Sequence, residues 1–358
     1  MKKLAALILA ASFIVPCMTP APASAAPEYT FSLSLMFPPI HNRWKNAIKP
    51  WVEEIEKRSQ GRIKIEPYFA EALCKAADSY EAVKTGVADM AEFCYDMAPG
   101  QFPFHERAFT LVSPDRSLDN TGEWMNEMEK RFPSILKEVS GVKMLFSHAV
   151  NVGMLVGTKA PITSLEDFKN RKINVDGDAQ ASGKVASLGA SVVSIPTSDL
   201  FMALQQGVVD GTTCDFEILV SRRFGEVVKH MTLLNTAASA FTMIMNEDVY
   251  NDLPEDLRKI IDEVSLEYGT KAFNKFWAEG QYTALEKWAK DYGGTVHILS
   301  ADDYKKANEL MQPVMQQWID VVNKAGLPGE ELEKAFRELE AKYTKPWAES
   351  RAASYVKK

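Results

Sequence analysis

The residues able to do chemistry are scattered. The five histidines are His41, His105, His148, His230 and His297, and none lies within four residues of another. No HExxH, GxSxG or phosphate-binding glycine loop occurs. Cys74, Cys94 and Cys214 show no CxxC or Cys/His spacing, so no metal or other cofactor is expected. Acidic pairs such as Glu53-Glu54 fall where a solvated helix face belongs. This pattern favours a binder over a catalyst. The residues suited to binding are Phe37, His41, Arg43, Glu71, Tyr95, Asn151, Asn174, Asp176, Cys214, Asp215 and Phe216. Acids interleaved with aromatics suit a ligand that carries an ammonium group or an aromatic ring. His41 and Arg43 are the nearest cationic candidates.

The elements that must position these residues are legible as periodicity. Tyr29 to Leu35 alternates apolar and polar residues, as a strand does. Pro38-Pro39 ends it. Trp44, Ile48, Trp51, Val52 and Ile55 recur at helical spacing, Gly61 stops that helix, and Arg62 to Tyr68 alternates again. Strand, helix, strand is the unit of a mostly parallel sheet.

One phrase occurs twice. Thr85-Gly86-Val87-Ala88-Asp89 and Gln206-Gly207-Val208-Val209-Asp210 each follow a short amphipathic helix. Glycine tolerates the left-handed conformation that closes a helix. Each phrase is therefore a helix-to-strand joint, with strands expected at Val87 to Tyr95 and Val208 to Phe216. Ligands of open α/β sheets lie beyond the carboxyl ends of strands. Glu92 to Tyr95 and Thr213 to Phe216 are thus expected to face a common cleft, one from each half of the chain.

Further strands are expected at Ser147 to Val156 and Arg171 to Val175. Ser164 with Asp167 resembles a capping box. A helix spans Ala179 to Leu188 and closes at Gly189. From Leu257 to Trp288 an apolar stripe marks either one helix long enough to brace two lobes or two helices broken near Gly269 or Gly280. Ser300 caps a helix over Ala301 to Lys324, and Glu330 to Tyr343 forms a last charged helix.

Bulk properties narrow the class. The chain has 358 residues, 46% hydrophobic and 25% charged, an ordinary globular balance whose length suggests two domains. A net charge of -7 without a basic block argues against nucleic-acid binding. Lys2-Lys3, the apolar run Leu4 to Val15 and Ala23-Ser24-Ala25 form a secretory signal peptide, with cleavage expected after Ala25. No other segment is apolar enough to span a bilayer, so an exported, soluble protein is expected, one that is not itself membrane-spanning. Cys74 and Cys94 either pair in an oxidising compartment or stay reduced.

Four stretches carry a resemblance. They are Ser59 to Ile65 (SQGRIKI), Pro161 to Phe168 (PITSLEDF), Lys172 to Val175 (KINV) and Ala203 to Gly211 (ALQQGVVDG). In this order and spacing the chain resembles the extracytoplasmic solute-binding subunits of tripartite ATP-independent periplasmic (TRAP) transporters, the dicarboxylate-binding-protein-like family. The resemblance covers nearly all of the chain beyond the signal peptide. It implies a two-lobed α/β periplasmic-binding-protein fold, each lobe a mixed, mostly parallel sheet flanked by helices, with a long helix bracing both. Lobe I is expected to comprise 26–149 plus 238–290, and lobe II 150–237 plus 291–348. It implies an interlobe cleft that captures a small-molecule solute in the periplasm and delivers it to the TRAP membrane permease subunits.

One departure stands out. Where Asn174 sits, the family usually has an arginine that clamps a carboxylate, and Gly153-Met154 lie near where a second arginine is common. The solute is therefore expected to be an organic acid bearing an amino group or an aromatic ring rather than a plain aliphatic dicarboxylate. A ligand-sensing partner of a membrane receptor would use the same cleft, as would a secreted enzyme on this scaffold.

Overall fold

The computed structural model describes residues 26–356 except 119, 151–153 and 176–178. The signal peptide, Asn151, Gly153 and Asp176 therefore lie outside the described residues.

The strands in chain order are β1 (Tyr29–Ser34), β2 (Ile63–Tyr68), β3 (Met90–Cys94), β4 (Arg116–Leu118), β5 (Val142–Ala149), β6 (Met154–Thr158) and β7 (Lys172–Asn174). They continue with β8 (Ser191–Val193), β9 (Gly211–Cys214), β10 (His230–Ala237), β11 (Ala240–Asn246), β12 (Thr295–His297) and β13 (Thr344–Pro346). One sheet has the order β2-β1-β3-β11-β5 and a second the order β12-β10-β6-β9-β7-β8. Both are mixed. β1 runs parallel to β2 and β3, and β7 parallel to β8 and β9, while β11 and β6 run antiparallel to their neighbours. The third sheet is the short pair β4-β13, which ties the end of the chain to its middle.

The repeated Gly-Val-x-Asp phrase performs the same task in both large sheets. Gly86 (φ +79°) and Gly207 (φ +74°) close the helices Ser79–Lys84 and Thr197–Gln206 in the left-handed conformation. The aspartate then reaches across to the neighbouring parallel strand. Asp89 Oδ2 accepts from Ser32 N and Ser32 Oγ of β1, each at 2.7 Å. Asp210 Oδ2 accepts from Lys172 N of β7 at 2.8 Å. The strands begin only after these aspartates, three residues later than the valine pattern suggested. Val87 and Val208 are exposed because they belong to the joint and not to the sheet.

The chain passes between the two large sheets three times, twice by strand crossings and once from β11 to β12 through the helical segment 255–292. The chain leaves the first sheet after β5 and enters the second at β6; it returns from β10 to β11 through Ala238-Ser239. The expected continuous strand Ser147 to Val156 is thus two strands in two sheets. At the crossing Val150 N donates to Ser239 O at 3.1 Å.

A helical segment over 255–292 braces both halves, as the long-helix expectation required. It consists of Glu255–Val264, a wide turn Ser265–Thr270, and Lys271–Tyr292. Its first half buries Leu257, Ile261, Val264, Phe273 and Trp277 in the core around the first sheet. Its second half buries Tyr282, Leu285 and Trp288 in the core of the second. Gly269 does not break the helix. It sits where the ring of Phe146 on β5 presses against the backbone, and a Cβ there would stand 2.3 Å from ring carbons.

Other local expectations hold. Ser164 and Asp167 form the capping box of a short turn, Leu165–Phe168. Ser300 Oγ accepts from Asp303 N and caps the helix Ala301–Lys324. The last helix, Gly329–Tyr343, packs on the helix Thr121–Arg131. Cys74, Cys94 and Cys214 are all unpaired thiols.

Gly269→Ala should destabilise the protein by about 1–3 kcal/mol, because the added methyl must displace Phe146 and strain the brace. Urea unfolding with an unchanged m-value checks this.

Candidate functional site

The space between the sheets holds two adjoining cavities. The first, of about 510 Å³, is lined by Asp96, Glu106 and Arg107 from the first half and by Asn174, Thr212 and Cys214 from the second. The second, of about 820 Å³, lies along the bracing helix and includes His41, Arg43, Phe241, Trp277 and Gln281. Asp215, Glu217 and Ser239 line both. The cleft therefore lies at the strand crossing and is walled by both halves of the chain.

Arg43 dominates the second cavity. It follows Pro38-Pro39 and precedes a wide helical turn, Trp44–Ile48, that leads into the helix Lys49–Arg58. Its Nη1 donates to Glu92 Oε2 at 2.9 Å, and the Glu92 side chain is fully buried on β3. The guanidinium lies against three rings: Phe241 at 4.5 Å, Trp277 at 4.9 Å and Phe37 at 5.2 Å. His148 Nε2 on β5 lies 3.2 Å from the other Glu92 oxygen, and Trp277 Nε1 donates to His148 Nδ1 at 3.1 Å. That donation assigns the His148 proton to Nε2, on the side of Glu92.

Burial alone would raise the Glu92 carboxyl, but Arg43 and His148 outweigh it and hold the group below its ordinary value. Burial pushes His148 down, so its imidazole is neutral at physiological pH. His41 stacks on Phe37 at 4.6 Å, and burial with the nearby Arg43 charge lowers it too.

The opposite wall is acidic. Asp215 caps the helix Phe216–Ser221, its Oδ1 accepting from Ile218 N at 3.0 Å. Burial raises its carboxyl. Glu217 is raised by burial and by the neighbouring Asp215, and its Oε2 accepts from Ser221 Oγ at 2.8 Å. Gln281 Oε1 accepts the backbone N–H groups of Phe216 and Glu217 at 2.8 and 3.1 Å, locking this turn to the bracing helix.

The sequence-derived residues divide. His41, Arg43, Asn174, Cys214 and Asp215 line the cleft, and Phe37 backs Arg43 and His41. Three expectations need correction. Tyr95 is fully buried among Phe93, Phe102 and His105, where it fills the core and does not reach the cleft. Phe216 is likewise core, and only its backbone N–H serves the site. Glu71 folds back on its own loop, accepting from Ala76 N at 2.9 Å beside Lys75 at 3.2 Å.

Asn174 is committed within its own half. Its Nδ2 donates to Thr212 Oγ1 at 3.2 Å and its Oδ1 accepts from Ile195 N at 2.8 Å. Arg107, Phe241, Trp277 and Gln281 were not anticipated. For Gln281 a signal existed: Phe273, Trp277, Gln281, Leu285 and Trp288 share one helical face with Asn274, and an amide in that otherwise apolar stripe marks a polar task.

Residues 36–320 match the family model described as bacterial extracellular solute-binding protein, family 7. A C4-dicarboxylate-binding periplasmic protein of Rhodobacter capsulatus is 26% identical over 307 residues, covering 82% of this chain and 87% of that protein. A TRAP periplasmic solute-binding protein from Desulfovibrio salexigens superposes with a TM-score of 0.81 at 26% identity, over 88% of this chain and 97% of that one. One from Rhodoferax ferrireducens, solved with copurified benzoate, gives 0.71 at 25%, over 88% and 98%. A marine metagenome protein specific for aromatic acids, solved with metahydroxyphenylacetate, gives 0.74 at 27%, over 88% and 99%.

Two outcomes follow from this electrostatic arrangement. Glu92→Ala should cost about 3–5 kcal/mol, because it strands a buried guanidinium, whereas an exposed-pair control such as Glu53→Ala should cost about 0–1 kcal/mol. Chemical denaturation measures both. Asp215→Asn keeps the cap acceptor and removes a buried charge. A carboxyl raised by folding contributes stability that is full below its unfolded value of about 3.9 and is lost as pH rises through the folded value. Asp215→Asn should therefore raise the melting temperature of the unliganded protein near pH 7.5, and the gain should shrink toward about pH 4.

Proposed function

The chain belongs to the bacterial extracellular solute-binding proteins of family 7, and on that premise we propose that it captures a small organic acid in the cleft and delivers it to a TRAP-type permease for import. The observation that carries the reading is a cleft walled by both halves of the chain at two strand crossings. It holds a buried, aromatic-caged arginine on one wall and polar groups on the other. A solute there touches both walls only when they approach, so it stabilises the closed form by its differential contacts. The aromatic rings around Arg43 suit a ring or another flat apolar body beside the carboxylate. Structural neighbours that hold benzoate and metahydroxyphenylacetate support that preference.

The chain acts by binding, as its relatives do, and the reading needs no reaction. The proposed lobes are 26–149 with 238–290 and 150–237 with 291–348, placed in the periplasm after cleavage near Ala25. Among the described residues no helix is long and apolar enough to cross a membrane, so a separate membrane component must complete the import route.

Native mass spectrometry of the purified protein, followed by denaturation and identification of what is released, tests the reading. The expected result is one organic acid per chain. A bound ligand without a carboxylate, or one chemically converted by the protein, would overturn it.

A further inference from the structure

The second cavity contains two N–H donors with no hydrogen-bond partner among the described residues: Nε of Arg43 and Nε2 of Gln281. Both side chains are buried, with 9% of Arg43 and 1% of Gln281 exposed. Neither can turn away. Arg43 is fixed by the Glu92 bond and by its ring contacts. Gln281 Oε1 already accepts two backbone N–H groups, so the amide cannot flip, and its NH₂ faces the Asp215 carboxylate and favours its charged form without completing a well-aligned hydrogen bond. A covered donor without an acceptor is costly. Two such donors on one cavity call for an acceptor brought by the solute. A carboxylate supplies it for the Nε–H left without an acceptor while Nη1 is engaged elsewhere, once the side chains that cover Nε move aside.

Charge then constrains the rest of the solute. Glu92 already neutralises Arg43. Asp215 and Glu217 have no lysine or arginine within ion-pair distance among the described residues, and each has one oxygen committed within its own helix. A bare carboxylate would enter beside two acids that no cation pairs directly. An ammonium on the same solute would satisfy them and remove the repulsion.

We propose that the solute is a zwitterion, its carboxylate on Arg43 Nε and Gln281 Nε2 and its ammonium on Asp215 and Glu217. The inference rests on the organic-acid reading and adds the second charge. It also moves the carboxylate subsite away from position 174, whose amide is already committed, to the wall beside the bracing helix. Phe241 and Trp277 flank the remaining body of the solute.

The test is isothermal titration calorimetry with matched pairs that differ only in the amine: 3-phenylpropionate with phenylalanine, 4-methylbenzoate with 4-aminomethylbenzoate, and butyrate with 4-aminobutyrate. The expected result is that the tightest ligand is an amine member, by at least about tenfold over its partner. Asp215→Asn and Glu217→Gln should erase that preference by weakening the amine member alone, and Gln281→Met should weaken both members of the pair. Should the tightest ligand be amine-free and Asp215→Asn leave it unchanged or improve it, the zwitterion is overturned while the organic-acid reading survives. Should no carboxylate in any pair bind, and none copurify, both are overturned.

Discussion

A positive charge buried where the first sheet meets the bracing helix sets the terms for the rest of the molecule. Arg43 cannot be taken out of water alone, so β3 must bring Glu92 within 2.9 Å of it. Glu92 in turn needs more than one partner, and β5 brings His148. His148 needs its other nitrogen occupied, and the helix 271–292 brings the Trp277 indole. Each requirement draws in a different element, and satisfying all of them fixes the first loop, two strands and the brace relative to one another. The rings that cover the guanidinium come from β11 and the same helix, so the cage is also packing.

The second constraint is continuity of chain between the halves. Two crossings and one long helix are the connections that any closing motion must respect. The wide turn at Ser265–Thr270 lets the helix accept Phe146 without breaking, because Gly269 presents no side chain to the ring. Beyond that turn the helix changes allegiance from one core to the other. Gln281 stands just past the change and ties the helix to the turn that carries Asp215 and Glu217. The acidic wall and the arginine wall are thus both anchored to one helix, which keeps their separation short. Buried carboxyls raised by their surroundings are a cost in the unliganded protein.

Much of this order follows from local rules. The two Gly-Val-x-Asp joints were legible because a left-handed glycine that closes a helix is a local signal, and both adopt it in the structure at φ +79° and +74°, whereas the bonds of Asp89 to β1 and Asp210 to β7 are long-range and were decided by the fold. Caps at Ser164 and Ser300 and the apolar stripe from Leu257 to Trp288 are likewise short-range signals. The family could be recognised from stretches such as ALQQGVVDG for the same reason: they encode joints that the fold requires.

What the chain alone determined is therefore many of the helices and strands, the joints between them and the expectation of a cleft at the carboxyl ends of strands, while the division of Ser147 to Val156 between two sheets and the central strands β10 and β11 appeared only in the structure. Tertiary structure decided which side chains face it. Tyr95 and Phe216 sit at strand ends that point toward the cleft, yet their rings turn into the core, because the apolar area gained there exceeds what a solvated wall offers. Glu71 has a nearer lysine and a nearer backbone N–H than any solute. Arg43 and Gln281 are separated by more than two hundred residues, and no periodicity links them. Only the folding of the first loop onto the bracing helix brings their unpaired donors to one cavity, since burial and charge balance are properties of the assembled space and not of any segment.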